Sequence, residues 1–249
     1  MISSKAYGSK QKREARRWFK EWSNDYDRTL GKMARHHALL DLAVKLARPK
    51  DGEQILDVGC GTGLLTLKFL KAADCSVTAV DSSCEMLAIF QKKIETLRLK
   101  RRATCKEQDA ASLSFQDNCF DIVASTVALH HVKDKLPMVK KIFRILRSGG
   151  RFALGDIDLD TTGRITDPKR LRRVMDYLKD ELTMALEDGG PEALSRMFDN
   201  GKKHLFNDGE YAVDFSRWAN LCKQAGFGPI ALRPLREFKR FKVLVAYKA

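Results

Sequence analysis

Gln54-Ile55-Leu56-Asp57-Val58-Gly59-Cys60-Gly61-Thr62-Gly63-Leu64-Leu65 decides how this 249-residue chain is read. An apolar run of strand character ends in an acid and three alternate glycines. Leu64, Leu65, Leu67, Phe69 and Leu70 then recur at helical pitch. The spacing predicts a strand, a tight turn and a helix. Glycines suit such a turn because the chain must reverse within a few residues and let a ligand approach bare backbone, which a Cβ would obstruct. The helix that follows points its unpaired amides, the positive end of its dipole, at whatever the turn holds.

Three ligands compete for this turn: a dinucleotide, a nucleoside triphosphate and S-adenosylmethionine. The dinucleotide fingerprint places its third glycine three positions after the second, but Gly63 follows Gly61 by two and Leu64 fills the expected place. The triphosphate loop fails as well, since no Gly-Lys-Ser or Gly-Lys-Thr follows. The Asp-Val-Gly-Cys-Gly-Thr-Gly segment instead resembles the first motif of the class I S-adenosylmethionine-dependent methyltransferases. Asp57, Gly59, Cys60, Gly61 and Gly63 are then expected at the cofactor.

Working outward, Ser76 to Asp81 reads as a second strand that ends in an acid about 20 residues beyond the turn, the place from which dinucleotide folds hold a ribose. Asp81 is the expected ribose acceptor. Ser82, Ser83 and Glu85 also make a helix start, and the two roles are compatible. Met86, one turn in, falls where the family offers an apolar side chain to adenine, although core packing explains a methionine as well. Ala103 to Ala110 is a weaker third strand. The resemblance places Asp109 on the adenine amino group and the Ala110 amide at the ring.

Phe120 to Ser125 is a near-continuous apolar run, expected of a central strand buried on both faces. Thr126-Val127-Ala128-Leu129-His130-His131-Val132 follows it. That loop falls at the carboxyl edge of the sheet, where open α/β folds bind ligands, and Thr126 heads it. His130 and His131 are the candidate catalytic residues. A histidine there has an ordinary pKa suited to taking a proton from a hydroxyl or amine acceptor, with His131 favoured; the competing role is shaping the loop through hydrogen bonds. Leu136 to Leu146 predicts a helix capped by Ser148-Gly149-Gly150, and Arg151 to Asp156 a fifth strand.

Upstream, after Arg16, the residues Trp18, Phe19, Trp22, Tyr26 and Leu30 space apolar positions at helical pitch. The arrangement resembles the N-terminal lid of methyltransferases of ubiquinone and menaquinone biosynthesis, which implies that Tyr26 lies near the cofactor; plain packing is the other reading. The expected division is a helical lid over 1–50, a Rossmann-like cofactor-binding core over 51–158, an inserted helical cap over 159–212, and the rest of the core sheet over 213–249. The strand–helix alternation predicts a doubly wound α/β sheet with right-handed crossovers. The resemblance implies seven strands, the last antiparallel.

Composition bounds the function. No apolar run approaches the roughly 18 to 20 residues needed to cross a bilayer, and the N-terminus is basic with no apolar stretch behind it, so a cytoplasmic protein is expected. Six cysteines without Cys-x-x-Cys spacing predict free thiols, and no metal is expected. A net charge of +14 raises nucleic acid as a partner, but the basic runs are scattered among acids and lack interleaved aromatics. The expected function is methyl transfer from S-adenosylmethionine to a small-molecule acceptor by a monomer or homodimer. The alternatives are an RNA methyltransferase that uses the basic surface, and a non-catalytic S-adenosylmethionine-binding module.

Overall fold

The computed structural model describes residues 26–27, 33–206 and 210–249. The aromatic helix expected around Trp18 and Trp22 lies outside the described residues; Tyr26 lies within them. Helix α1 (Ala34–Ala47) leads into β1 (Gln54–Val58), α2 (Leu64–Ala72), β2 (Ser76–Asp81), α3 (Cys84–Thr96), β3 (Ala103–Glu107) and β4 (Phe120–Thr126). Helix α4 (Lys135–Ile145), β5 (Leu146–Ile157), α5 (Pro168–Phe206), α6 (Phe215–Ala225), β6 (Ile230–Pro234) and β7 (Phe241–Tyr247) complete the order.

The strands form one seven-stranded sheet in the order β3-β2-β1-β4-β5-β7-β6. Strands β1 to β5 run parallel, and β7 is antiparallel to both β5 and β6. Strand β1 therefore pairs with β2 on one side and β4 on the other, so the sheet changes direction there. In open α/β sheets that crevice at the carboxyl ends is where ligands bind.

Successive residues of a strand face opposite sides, and both sides here are covered. Ile55 joins Phe69, Phe90 and Leu39 in a core beneath α1, α2 and α3, whereas Leu56 and Val58 join Met138, Ile142 and Trp218 beneath α4 and α6. Helix α5 adds Val174, Tyr177 and Leu178 to the first core. Its kink at Gly190, where φ is 65° and ψ −160°, falls on the Gly-Gly-Pro break of the sequence. Pro191, which lacks an amide proton, follows directly.

One boundary differs from expectation. Helix α4 is capped by Leu146 in extended conformation, so the Gly-Gly pair does not end it. The chain enters β5 at once, and the register to β4 slips between Phe120↔Leu146 and Ile122↔Arg151. Gly149, at φ +76°, sits inside that irregularity, and a Cβ on Gly150 would stand 2.8 Å from the Arg147 carbonyl. These glycines serve a bulged strand entry. All six cysteines are free thiols. No described helix is long and apolar enough to cross a membrane.

Candidate active site

The glycine turn is built by three different constraints. Gly59, Gly61 and Gly63 all have positive φ, at 73°, 52° and 84°. A Cβ on Gly59 would lie 2.3 Å from Ala128 Cβ, and one on Gly63 would lie 2.0 Å from the Phe90 ring. Those two glycines let the β4 loop and α3 close on the turn. Among the described residues, nothing lies within 4 Å of a would-be Cβ on Gly61, so its bareness faces open space there. Among the described residues no side chain caps α2, whose N-cap is Gly63.

Asp57 is fully buried beneath the turn. Its Oδ2 accepts from Thr66 Oγ1 at 2.6 Å, while Oδ1 has no hydrogen-bond partner among the described residues. Burial pushes its carboxyl up to about 7, the Thr66 hydroxyl opposes that shift, and nearby Asp81 adds to it. Asp81 ends β2. It accepts from the Gly61 amide at 2.8 Å and the Ser83 amide at 2.9 Å. Burial raises its carboxyl as well, against the pull of those amides. Each carboxylate oxygen carries two lone pairs, so these bonds leave acceptor capacity for a ligand hydroxyl. Cys60 is buried with its thiol held well above the ordinary value, first by burial and then by Asp57 and Asp81, so it offers backbone rather than nucleophile.

The remaining sequence-predicted residues fall around this centre. Ser82 follows Asp81, and Ser83 caps α3 by accepting from the Met86 amide at 3.2 Å. Met86 itself is buried. Beyond β3, Asp109 caps a short 3-10 turn, Ala110–Ser112, through the Ala111 amide. Thr126 ends β4 opposite Gly155, and its Cγ2 fills the space a Gly155 side chain would need. Tyr26 is close enough to Asp81 and Asp27 for both carboxylates to add to the rise that burial imposes on its hydroxyl. Its ring meets His36 edge-on at 6.2 Å.

Three features escaped sequence reasoning. Asp27 accepts from Thr62 Oγ1 at 2.6 Å and pairs with Lys93 Nζ at 2.6 Å, while Lys93 also donates to the Thr62 carbonyl. This latch fastens the Tyr26 segment to the glycine turn and to α3. Val127 has φ +50°, a strained conformation for a β-branched residue, directly after β4. Finally, Asp156 at the end of β5 accepts from His130 Nδ1 at 2.8 Å, and Glu210 lies 3.3 Å from His130 Nε2. The acid ending a strand was a visible signal for Asp156; Glu210 carried none.

The adjacent histidines thus occupy different environments. Burial opposes charge on His130, but Asp156 and then Glu210 outweigh it and push the imidazole up to about 9. Enclosed between two carboxylates, His130 is placed to shape the loop by hydrogen bonding. His131 is the more exposed of the two, with Nδ1 3.7 Å from Glu210 Oε1 and its ring centroid 4.3 Å from that of His130.

The sheet order and the glycine turn agree with the fold that the resemblance to class I methyltransferases implies. Residues 56–154 match the family described as a methyltransferase domain, so the resemblance carried by the glycine turn holds. The chain is 32% identical over 125 residues to 27-O-demethylrifamycin SV methyltransferase of Amycolatopsis mediterranei, covering 49% of this chain and 46% of that one. It is 31% identical over 118 residues to the ubiquinone/menaquinone biosynthesis C-methyltransferase UbiE of Xylella fastidiosa, covering 47% of each. The chain thus spans about half the length of the curated relatives it matches. Among solved structures it resembles the complex between the Haloferax volcanii Trm112 methyltransferase activator and a methyltransferase, with TM-score 0.67, 15% identity, and coverage of 92% and 96%. It also resembles the [4+2]-cyclase SpnF, with TM-score 0.62, 17% identity, and coverage of 86% and 81%. At such identities these likenesses show the fold.

Proposed function

We propose that the chain is an S-adenosylmethionine-dependent methyltransferase acting on a small-molecule acceptor. The observation that carries this reading is Asp57, a fully buried carboxylate with one oxygen unpartnered among the described residues, set under a turn whose middle glycine has none of them within 4 Å of a would-be Cβ. A buried carboxylate in that condition is costly unless a cationic or donor group meets it. The ammonium of the methionyl part of the cofactor is such a group. Asp81 would accept the ribose hydroxyls, Asp109 and Ala110 would flank the adenine, and Tyr26 would close over the ribose side.

The cofactor supplies an already activated sulfonium methyl, so the protein's task is to align two ligands and exclude water. His131, in the loop after β4, and Glu210, beyond α5, would stand beside the acceptor, with His130 fixing the loop that carries His131. Replacing the acceptor-facing imidazole in His131→Gln should lower turnover about 10²-fold while leaving cofactor affinity nearly unchanged. Equal turnover in parent and variant would remove His131 from the reaction.

The names of both curated relatives point to small-molecule chemistry, a rifamycin in one and a quinone in the other. The SpnF likeness is a reminder that a fold can host other reactions. Tritium transfer from labelled S-adenosylmethionine into a cell extract, followed by fractionation, tests the reading. Label is expected in the small-molecule fraction. Label confined to RNA would replace the acceptor class, and no label in any fraction would leave a cofactor-binding module.

A further inference from the structure

Two imidazoles and a carboxylate converge where β4 and β5 end. Glu210 reaches His130 Nε2 with one oxygen at 3.3 Å and His131 Nδ1 with the other at 3.7 Å. One ligand atom from each of the three residues lies within 4.8 Å of the others. We propose that His130, His131 and Glu210 form a binding site for one divalent transition-metal ion.

One separation fits such an ion directly. With metal–ligand bonds of about 2.0–2.1 Å, neighbouring ligand atoms of a tetrahedral site stand about 3.3 Å apart. The His130–Glu210 separation already has that value, and His131, with a side chain 26% exposed, would bring its ring slightly nearer to complete the set. The donor set is two nitrogens and one oxygen, which suits zinc or a neighbouring transition metal rather than magnesium or calcium, both of which prefer oxygen cages.

A second observation points the same way. The other ring nitrogen of His130 is bonded to Asp156 Oδ1 at 2.8 Å, and Asp156 is only 1% exposed. A carboxylate that holds the far nitrogen fixes the ring and its tautomer, leaving Nε2 aimed at Glu210; ligating histidines are usually oriented in this way. The ion also has a route in. A cleft of about 520 Å³, lined by Lys135, Thr161, Thr162, Tyr211 and Arg217, reaches Glu210. Three protein ligands leave a coordination position for water or a ligand oxygen, as open zinc sites do.

The proposal does not depend on methyl transfer, and its test reads metal binding directly. Chelator-stripped full chain is titrated with zinc chloride by calorimetry and with cobalt chloride by visible absorption, each with and without S-adenosylhomocysteine. One zinc per chain is expected in both conditions. The cobalt spectrum should show ligand-field bands without sulfur-to-metal charge transfer, which separates this site from the free cysteines. His131→Gln and Glu210→Gln should each abolish stoichiometric binding. Asp156→Asn, which keeps all three ligands, should weaken it about 10- to 100-fold. Cys84→Ser, at an exposed thiol, should change nothing. Metal-free melting curves check that each variant folds, and the partly exposed His131 position carries the test if a buried variant does not. The proposal is overturned if the parent binds no stoichiometric zinc, if binding survives both His131→Gln and Glu210→Gln, or if thiolate bands appear.

Discussion

Asp57 carries opposed demands on stability and function. Its folded pKa, about 7, lies above its ordinary value of 3.8 because burial penalises the charged form. The folded state therefore holds the proton more tightly than the unfolded chain, and stability falls as pH rises from roughly 4 through 7. Asp57→Asn, which cannot ionise, should raise the melting temperature at pH 8 and change it little at pH 5. In the parent, S-adenosylhomocysteine should bind more weakly at pH 5.5 than at pH 7.5, because the carboxylate that meets the ammonium becomes protonated. The variant should lose that pH dependence. A parent affinity that is flat between the two pH values would mean that Asp57 does not meet the ligand.

Among elements, the contact between α2 and α3 depends on one missing atom. Gly63 has φ +84° and lies against Phe90, so Gly63→Ala combines backbone strain with a collision inside the core. Its cost should reach several kcal/mol, since left-handed strain alone costs about 1–2 and overpacking about 1–3. Gly61→Ala meets strain without collision. It should fold, with a loss of about 1–2 kcal/mol by urea denaturation, yet bind S-adenosylhomocysteine poorly because the new methyl occupies the space left for ligand. Full cofactor affinity in folded Gly61→Ala would separate the turn from the binding site.

How much was legible also varied at this scale. The glycine turn and the acids ending β1 and β2 were readable because hydrophobic period and turn chemistry act within a few residues. The Asp27–Thr62–Lys93 latch was not, because it joins positions 35 and 31 residues apart. Nor was the His130–Glu210 contact, which depends on how the chain returns after α5. The Gly149-Gly150 pair misled because Gly-rich punctuation marks a helix end and a bulged strand entry equally well.

Over the whole molecule, a buried ion pair joins the first helix to the long one. Arg35 of α1 meets Glu181 of α5 at 3.1 Å, with both side chains at most 3% exposed. Arg35 Nη1 and Glu181 Oε1 have no other hydrogen-bond partner among the described residues, so each charge depends heavily on the other. Glu181→Ala would strand the guanidinium and should cost about 3–5 kcal/mol, read from urea denaturation. The double change Arg35→Met, Glu181→Leu should recover most of that loss. A single variant as stable as the parent would show that α5 is held by its apolar contacts alone.

Calorimetric titration of S-adenosylhomocysteine into the parent and into Asp81→Ala tests the central claim most directly. The account predicts one site per chain in the parent, no binding of NAD or ATP, and a loss of about 1.5–3 kcal/mol in the folded variant, the scale of hydrogen bonds to a charged group. No binding by the parent, or equal affinity in the two proteins, would contradict it.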